Sequence, residues 1–267
     1  MKLTNFFLFI FLIINGQNLI AADNFIEEAV TAKHRSAENK ARDTYRHPAE
    51  TLAFFGIKQD MKVLEILPGR GWYTDILAPI LKDKGELTAA SFGANHSNEY
   101  LRGIHAKFEQ HLNSNPDVFG KVKPVVFKND GYLSEVADNS QDMVLTFRNT
   151  HNWIRYGGIE DAFTSFHRVL KKGGILGVVQ HRANDDADAK VSAEKGYVPE
   201  AYLIRLIESY GFELADKSEV NANPKDTKDH PKGVWTLPPS YRLKDVDKEK
   251  YTAIGESDRM TLRFIKL

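Results

Sequence analysis

Apolar residues follow two spacings that alternate along most of the chain. Short continuous apolar runs are typical of strands buried on both faces, whereas apolar residues three to four positions apart are typical of helices. The continuous runs at 143–147 and 175–180 predict buried strands, and further strands are predicted at 62–66, 87–92, 124–127, 212–218 and 260–266. The wider spacing predicts helices at 25–46, 50–55, 72–81, 100–112, 160–170 and 199–210. Strands that alternate with helices predict a parallel sheet with helices on both faces.

The alternation stops between the last two predicted strands. Residues 220–257 are rich in Asn, Asp, Lys and Pro, and their pattern predicts no helix. A loop of this length in a compact domain is usually a functional lid or is disordered. We therefore predict one domain over 23–267, with an N-terminal helical extension at 23–56 and a long loop at 220–257.

The first 22 residues differ from the rest of the chain. Lys2 precedes the apolar run 6–14, and small residues up to Ala22 lead into polar sequence. This order is that of a secretory signal peptide, which predicts cleavage after Ala22 and a periplasmic or secreted protein. The alternative is an uncleaved anchor, but the run is shorter than the roughly 20 residues that a membrane-spanning helix needs. Ile20 is an imperfect residue for this cleavage site, so the cut is predicted to within a residue. We expect no stable membrane insertion after cleavage.

Charge and cysteine content narrow the classes of partner and chemistry. The 267 residues include 36 Lys and Arg and 36 Asp and Glu, so the net charge is zero, and there is no cysteine. A neutral chain has no general attraction to nucleic acid, and we predict no nucleic-acid partner. The absence of cysteine excludes disulfides, thiol nucleophiles and cysteine-ligated metals.

The segment 63–74, VLEILPGRGWYT, carries the candidate chemistry. A strand ends beside Glu65, a turn with Gly69 and Gly71 follows, and a helix begins. Ligands of open α/β sheets bind at the carboxyl ends of the strands, and glycines allow the backbone to approach them closely. A dinucleotide site places its acid about twenty residues after the glycines. An acid before the turn counts against an NAD-type oxidoreductase and suits a ligand with a sulfonium and an amino-acid tail.

From these residues, the chain resembles class I S-adenosylmethionine-dependent methyltransferases over about 48–267. Their first motif, two apolar residues, an acid and three alternating glycines, stands here at 63–71 with Leu67 in place of the first glycine. The segment 166–181, FHRVLKKGGILGVVQH, matches the helix and strand that follow the fourth strand of the family. The chain is similar, more narrowly, to predicted exported bacterial methyltransferases. The resemblance implies an α/β, Rossmann-like, seven-stranded and mostly parallel sheet, with the last strand antiparallel and helices on both faces.

The resemblance also implies a cofactor, S-adenosyl-L-methionine, with S-adenosyl-L-homocysteine as its product. Glu65 would receive the methionine ammonium, and Gly69 and Gly71 would let the backbone pass the cofactor's tail. Asp130 matches an acid that contacts the adenine amino group, with Asn129 as its neighbouring alternative.

Two further cofactor contacts are predicted at strand ends. The family usually places an acid on the ribose hydroxyls at the end of the second strand, where this chain has Ala90 and Ser91. Ser91 offers one hydrogen bond and no charged bidentate pair. Asn149, at the end of the fourth strand, is the other predicted contact.

The acceptor side is predicted at 146–156, where polar residues crowd the end of a buried strand. His151 is the candidate base because its ordinary pKa is near neutrality, and its alternative is a hydrogen-bonded loop histidine. Arg148 would bind an acceptor carboxylate or phosphate, or would pair with an acid of the long loop. Trp153 is either a core residue or a pocket wall. We predict a small-molecule acceptor, and the sequence gives no oligomeric state.

His181, the acids that follow it and His230 are candidate metal ligands. The acids 185, 186 and 188 do not meet the calcium-loop pattern. A helix N-cap with acids in its first turn explains them with fewer assumptions, so we predict no metal. The predicted function is methyl transfer to a small molecule by in-line displacement. The alternative is a catalytically silent extracytoplasmic binding protein with the same fold.

Overall fold

One sheet of seven strands organises the chain. The computed structural model describes residues 16–128 and 132–267, with side chains from residue 24 onward. The strands are β1 (Lys62–Ile66), β2 (Glu86–Ser91), β3 (Lys123–Val126), β4 (Gln141–Phe147), β5 (Leu170–His181), β6 (Phe212–Ser218) and β7 (Arg259–Lys266). Their order across the sheet is β3-β2-β1-β4-β5-β7-β6. Strand β7 runs antiparallel to both neighbours, and the other pairs are parallel. The predicted fold class is confirmed.

Helices cover both faces of the sheet. They are α1 (Gly16–Thr31), α2 (Ala37–Lys40), α3 (Asp43–Arg46), α4 (Pro48–Phe55), α5 (Thr74–Leu81), α6 (Glu99–Ser114), α7 (Pro116–Phe119), α8 (Thr150–Tyr156), α9 (Ile159–Val169), α10 (Ala189–Glu194), α11 (Glu200–Glu208) and α12 (Lys248–Ile254), with a 3-10 turn at Gly233–Thr236. None of the helices in the described ranges is long and apolar enough to cross a membrane.

Alternate residues of each central strand enter two separate cores, because successive side chains of a strand point to opposite faces. In β1, Leu64 and Ile66 join the core beneath α9 and α11, whereas Val63 joins the core beneath α1, α4 and α5. In β4, Val144 joins the core beneath α9 and α11, and Met143 joins the core beneath α1, α4 and α5. Burial on both faces explains why these strands read as continuous apolar runs.

The predicted single helix at 25–46 is wrong in its continuity, because the chain breaks into α1, α2 and α3. Two local interactions account for the break. Ser36 caps α2 by accepting a hydrogen bond from the Asn39 amide at 3.1 Å. The buried Arg35 guanidinium donates to the Val30 carbonyl and pairs with Asp43 at 2.8 Å. These contacts turn the chain back over the sheet, which residue spacing alone does not reveal.

The long loop at 220–257 contains the short helix α12 and the 3-10 turn, which the sequence pattern did not predict. Buried hydrogen bonds hold the loop to the domain. The Asn221 side-chain amide donates to the hydroxyls of Thr51 and Thr261 at 2.9 Å. The Asn223 amide donates to the Ile254 and Glu256 carbonyls. The loop is therefore packed against the edge of the sheet.

Strand register brings the residues of the predicted site to one edge. Ile66 pairs with Ala90 of β2 and with Thr146 of β4. His181, at the end of β5, pairs with Arg259, where the antiparallel β7 begins. The carboxyl ends of β1, β2, β4 and β5 and the beginning of β7 thus share an edge. Binding sites of open α/β sheets form at such an edge.

Candidate functional site

The turn after β1 has a left-handed backbone at three positions. Leu67 has φ +50°, Gly69 +66° and Gly71 +91°. Leu67 therefore keeps the conformation for which glycine is favoured, and its amide donates to the Ala90 carbonyl at 2.8 Å. Such a backbone is uncommon for a residue with a side chain, and strained positions cluster at functional sites. A Cβ at Gly69 would meet no atom within 4 Å, so there is open space beside this residue of the turn.

Gly71 has a packing role besides its backbone conformation. A Cβ on this residue would lie 2.7 Å from the His111 ring of α6. The same ring is 2.7 Å from a carboxylate oxygen of Asp75, a buried residue of α5. Packing against His111 therefore requires glycine at position 71, independently of the predicted role of Gly71 in letting the backbone pass the cofactor's tail.

Glu65 is a buried acid without a cation. Its side chain is 2% exposed, and the Thr74 hydroxyl donates to it at 2.6 Å. Burial, and then the nearby charge of Asp75, raise the pKa of Glu65 to about 8, against the lowering effect of the Thr74 hydrogen bond. Placing a carboxylate here is unfavourable in the free protein, and a positive ligand group would reverse that balance.

Ser91 lies buried at the end of β2 beside a histidine that sequence reasoning missed. Its hydroxyl is 3.4 Å from His105 Nδ1, and the other ring nitrogen of His105 is 3.4 Å from Glu109. His105 lies on the apolar face of α6 between Leu101 and Phe108, and this polar interruption was the available signal. A cleft of about 740 Å³ opens here between the loop after β2, α6 and β3. Asp130 and Asn129 lie outside the described residues.

Asn149 ties β4 to β1. Its amide donates to the Ile66 carbonyl at 3.1 Å and to the Thr146 hydroxyl at 3.2 Å. Arg148, the residue before it, has φ +65°, and its backbone amide donates to the Val179 carbonyl of β5 at 2.7 Å. The left-handed backbone at Arg148 is a second uncommon conformation at this edge.

His151 is buried in α8 and contacts the side chain of Gln180. The Gln180 amide nitrogen donates to the Gly196 carbonyl at 3.0 Å and lies 3.2 Å from His151 Nδ1. His151 Nδ1 also lies 3.4 Å from the Gln180 side-chain oxygen, so the contact fits either tautomer of the ring. Burial lowers the pKa of His151 to about 4, so the ring is neutral at physiological pH. The rings of His181 and Trp235 lie 5.7 and 5.9 Å away.

Four arginines surround one acid at the same edge. Glu256 accepts hydrogen bonds from Arg42 at 2.8 Å, Arg46 at 3.0 Å and Arg259 at 3.1 Å. The nearby charge of Glu256 raises the pKa of Arg148, and the charges of Arg259 and Arg42 lower it. We call Arg42, Arg46, Arg148, Arg259 and Glu256 the arginine cluster. Arg46 also stacks on Trp72, which follows the Gly69–Gly71 turn, with its guanidinium carbon 4.6 Å from the ring centroid.

The residues weighed as metal ligands have other partners. Asp188 caps α10 by accepting from the Lys190 and Val191 amides at 2.9 Å, which confirms the N-cap, whereas the first turn of α10 contains no acid. His230 pairs with Asp226 at 2.8 Å. No group of three or more possible ligands converges within the described ranges.

Comparison with curated proteins gives two similar enzymes, and no family model matches the chain. A sterol 24-C-methyltransferase of Yarrowia lipolytica is 24% identical over 245 residues, which is 86% of this chain and 58% of that protein. A sterol 24-C-methyltransferase of Neurospora crassa is 30% identical over 145 residues, which is 54% of this chain and 34% of that protein. The chain thus spans little more than half the length of the first relative and about a third of the second.

Solved structures share the whole fold. A SAM-dependent methyltransferase from Aquifex aeolicus has a TM-score of 0.57 at 14% identity, over 92% of this chain and 98% of that one. A glycopeptide N-methyltransferase complexed with S-adenosyl-L-homocysteine has a TM-score of 0.54 at 12% identity, over 91% and 96%. The [4+2]-cyclase SpnF has a TM-score of 0.57 at 16% identity, over 93% and 94%. The chain therefore has the Rossmann-like methyltransferase fold.

Replacing Glu65 with Gln should stabilise the protein in a pH-dependent way. The folded-state pKa of about 8 lies above the unfolded value, so the native carboxylate costs stability progressively as pH rises from about 4.5 to about 8. We expect Glu65→Gln to raise the free energy of unfolding by about 1–3 kcal/mol at pH 8, with the gain vanishing near pH 5. Urea denaturation across this range measures it.

The matched control is Glu208→Gln, which removes an exposed acid at the end of α11. This variant should change stability by less than about 0.5 kcal/mol at every pH. A gain for Glu65→Gln that is constant with pH, or a loss of stability at pH 8, would contradict the raised pKa.

Proposed function

We propose that this protein is an S-adenosyl-L-methionine-dependent methyltransferase that acts on a small-molecule acceptor. The observation that carries the proposal is the buried carboxyl of Glu65, next to an open left-handed turn at the ligand-binding edge of the sheet. A fold alone does not give a function, so the proposal depends on this arrangement.

The residues at this edge fit the cofactor's methionine end. The cofactor carries a positive ammonium, and Glu65 is the acid whose burial lacks a compensating cation. Gly69 leaves space for close approach of a ligand to the backbone. The loop and helix α6 at the end of β2 border the neighbouring cleft, into which the ribose and base would extend.

The similar proteins support the class of acceptor. The curated relatives are sterol 24-C-methyltransferases, and the match to one of them covers 86% of this chain. A solved structure with the same fold is a geranyl diphosphate C-methyltransferase from Streptomyces coelicolor, with a TM-score of 0.56 at 13% identity. Both names describe enzymes that act on small organic molecules, which we propose for this chain as well.

The bound cofactor would supply an electrophilic methyl group on a sulfonium, which leaves as a neutral sulfide when the acceptor takes the methyl. The protein would position the acceptor in line and exclude water. His151 is the predicted base, but burial lowers its pKa to about 4, which favours a different role. The neutral ring would form a hydrogen bond with the acceptor through Nε2 and orient it.

A catalytically silent binding protein is the second candidate. It is favoured by Ser91, which stands where the family usually places a ribose-binding acid and whose hydroxyl already lies beside His105. A [4+2]-cyclase with the same fold shows that this architecture also carries a different activity. The two candidates differ in whether a methyl group is transferred once the cofactor is bound.

We also propose that the protein works outside the cytoplasm after cleavage following Ala22. Residues 1–15 lie outside the described ranges, and α1 extends across the proposed cut. Ile26, Ala29 and Val30 are buried in the core beneath α1, α4 and α5, and this cut would retain all three. Amino-terminal sequencing of protein recovered from the periplasm or medium should begin at Asp23. Recovery of the intact chain from the cytoplasm alone would contradict the proposal.

Cofactor affinity should depend on pH through Glu65. The ammonium pairs with the carboxylate, so binding below pH 8 requires that Glu65 release its proton. The dissociation constant for S-adenosyl-L-homocysteine should therefore fall by up to about tenfold per pH unit between about pH 6 and pH 8. Calorimetric titration of the purified protein measures it.

Glu65→Gln should bind at least about tenfold more weakly at pH 8 and show little pH dependence, because it offers no charge to the ammonium. Glu208→Gln is again the matched control and should bind as the unaltered protein does. Absence of heat and of thermal shift at millimolar S-adenosyl-L-methionine and S-adenosyl-L-homocysteine would overturn the methyltransferase proposal. Cofactor binding with unchanged affinity in Glu65→Gln would overturn the role of this acid.

A further inference from the structure

The arginine cluster has more positive than negative charge. Glu256 is its acid, and its two oxygens are shared among the guanidiniums of Arg42, Arg46 and Arg259. With Arg148, four guanidiniums stand against one carboxylate. Arg46 and Arg259 are 2% and 3% exposed, so water does little to screen them. A buried excess of like charge is unfavourable unless a ligand offsets it.

Two other arginines with little exposed side chain have acids of their own. Arg35 makes a two-pronged pair with Asp43, with both distances 2.8 Å. Arg182 is paired with Glu219 and Asp258 on the outer side of β5. The excess of positive charge therefore distinguishes the arginine cluster from these two paired arginines.

Arg148 is the member of the cluster that lacks a direct partner. Its guanidinium makes no hydrogen bond or ion pair with any residue in the described ranges, whereas its backbone amide donates a hydrogen bond to the Val179 carbonyl. Burial lowers the pKa of Arg148 to about 10, so it remains positive at neutral pH. A guanidinium presents donors in a fork that matches a carboxylate or a phosphate.

We propose that the acceptor is an anion, and that Arg148, backed by Arg46 and Arg259, holds its carboxylate or phosphate group at the ends of β4 and β5. This inference rests on the proposed function and names its substrate class. The neutral rings of His151 and His181 and the ring of Trp235 line the same place. They would pack against the uncharged part of the acceptor.

Arg148 and Arg259 lie on the acceptor half of this edge, whereas Arg46 stacks on Trp72 beside the Gly69–Gly71 turn. Arg148 follows β4, and Arg259 begins β7 opposite His181 of β5. The features that fit the cofactor, Glu65 and Ser91, belong to β1 and β2. Strand pairing places Arg148 near these rings, because the preceding Phe147 pairs with Val179, two residues before His181. The charge of Arg148 also lowers the pKa values of His151 and His181, after the larger effect of their burial.

The test uses small anions as probes on the full chain saturated with S-adenosyl-L-homocysteine. Thermal shift and calorimetry compare acetate with neutral acetamide, and inorganic phosphate with chloride at equal ionic strength. We expect acetate or phosphate to bind at millimolar concentration or better and to raise the melting temperature, and acetamide and chloride to have no such effect.

Variants assign the binding to Arg148. Arg148→Gln should weaken anion binding by about tenfold or more, because a charge-assisted bond is lost, and should leave the affinity for S-adenosyl-L-homocysteine within about threefold. The anion affinity of Arg148→Lys should lie between those of the unaltered protein and Arg148→Gln, because lysine keeps the positive charge but lacks the two-pronged guanidinium. Arg205→Gln is the matched control, because Arg205 is an exposed residue of α11, away from the cluster, and it should bind anions normally. If Arg148→Gln does not fold, Arg42→Gln, at the more exposed side of the cluster, should weaken anion binding instead.

Three results would overturn the inference, and they are distinguishable from one another. Cofactor binding without any anion effect would refute the anionic acceptor and leave the proposed function intact. Loss of S-adenosyl-L-homocysteine affinity in Arg148→Gln would show that the cluster holds the cofactor's own carboxylate. Anion binding to a chain that binds no cofactor would refute the acceptor role together with the proposed function.

Discussion

The buried carboxylate of Glu256 joins the N-terminal extension to the beginning of β7. It accepts hydrogen bonds from Arg42 and Arg46, which belong to the N-terminal extension, and from Arg259, where β7 begins. Burial alone would raise the pKa of Glu256, but the charges of Arg46 and Arg259 outweigh it and lower the pKa to about 2. The contribution of this depressed pKa to stability is present above the unfolded value and is lost only as pH falls toward 2. The extension therefore stays in place across physiological pH.

Glu65 and Glu256 are opposite cases of one physical rule. Glu65 is buried without a cation, and its pKa rises to about 8, whereas Glu256 is buried among an excess of cations, and its pKa falls. The first position favours a ligand that brings positive charge, and the second favours one that brings negative charge. A cofactor with an ammonium and an acceptor with a carboxylate or phosphate would meet both requirements at one edge of one sheet.

The sheet could be predicted from sequence because its strands are buried on both faces and therefore read as apolar runs. The turn at 67–71 could also be predicted, since an acid and two glycines leave few alternatives for its chemistry. The left-handed Leu67 could not, because only a backbone shows that a leucine has taken a glycine's conformation.

The arginine cluster was beyond sequence reasoning for another reason. Arg42 and Arg46 lie more than 200 residues from Glu256 along the chain, and residue spacing does not reveal that the fold brings them together. Arg148 was singled out by its position after a buried strand, but its two interpretations, a ligand for an anion or a partner for a loop acid, depend on what the fold places beside it. His151 shows the same limit, because its hydrogen bond with Gln180 depends on how β5 packs against α8.

The most direct test of the account is hydrogen exchange of the backbone amides with and without S-adenosyl-L-homocysteine. If the cofactor lies against Glu65 and the left-handed turn, peptides that cover 66–73 and 147–151 should exchange about tenfold more slowly when it is present. Peptides from β6, the outermost strand beyond β7, should exchange at the same rate in both conditions. Saturating ligand that leaves 66–73 unprotected, or that protects only peptides away from this edge, would contradict the account.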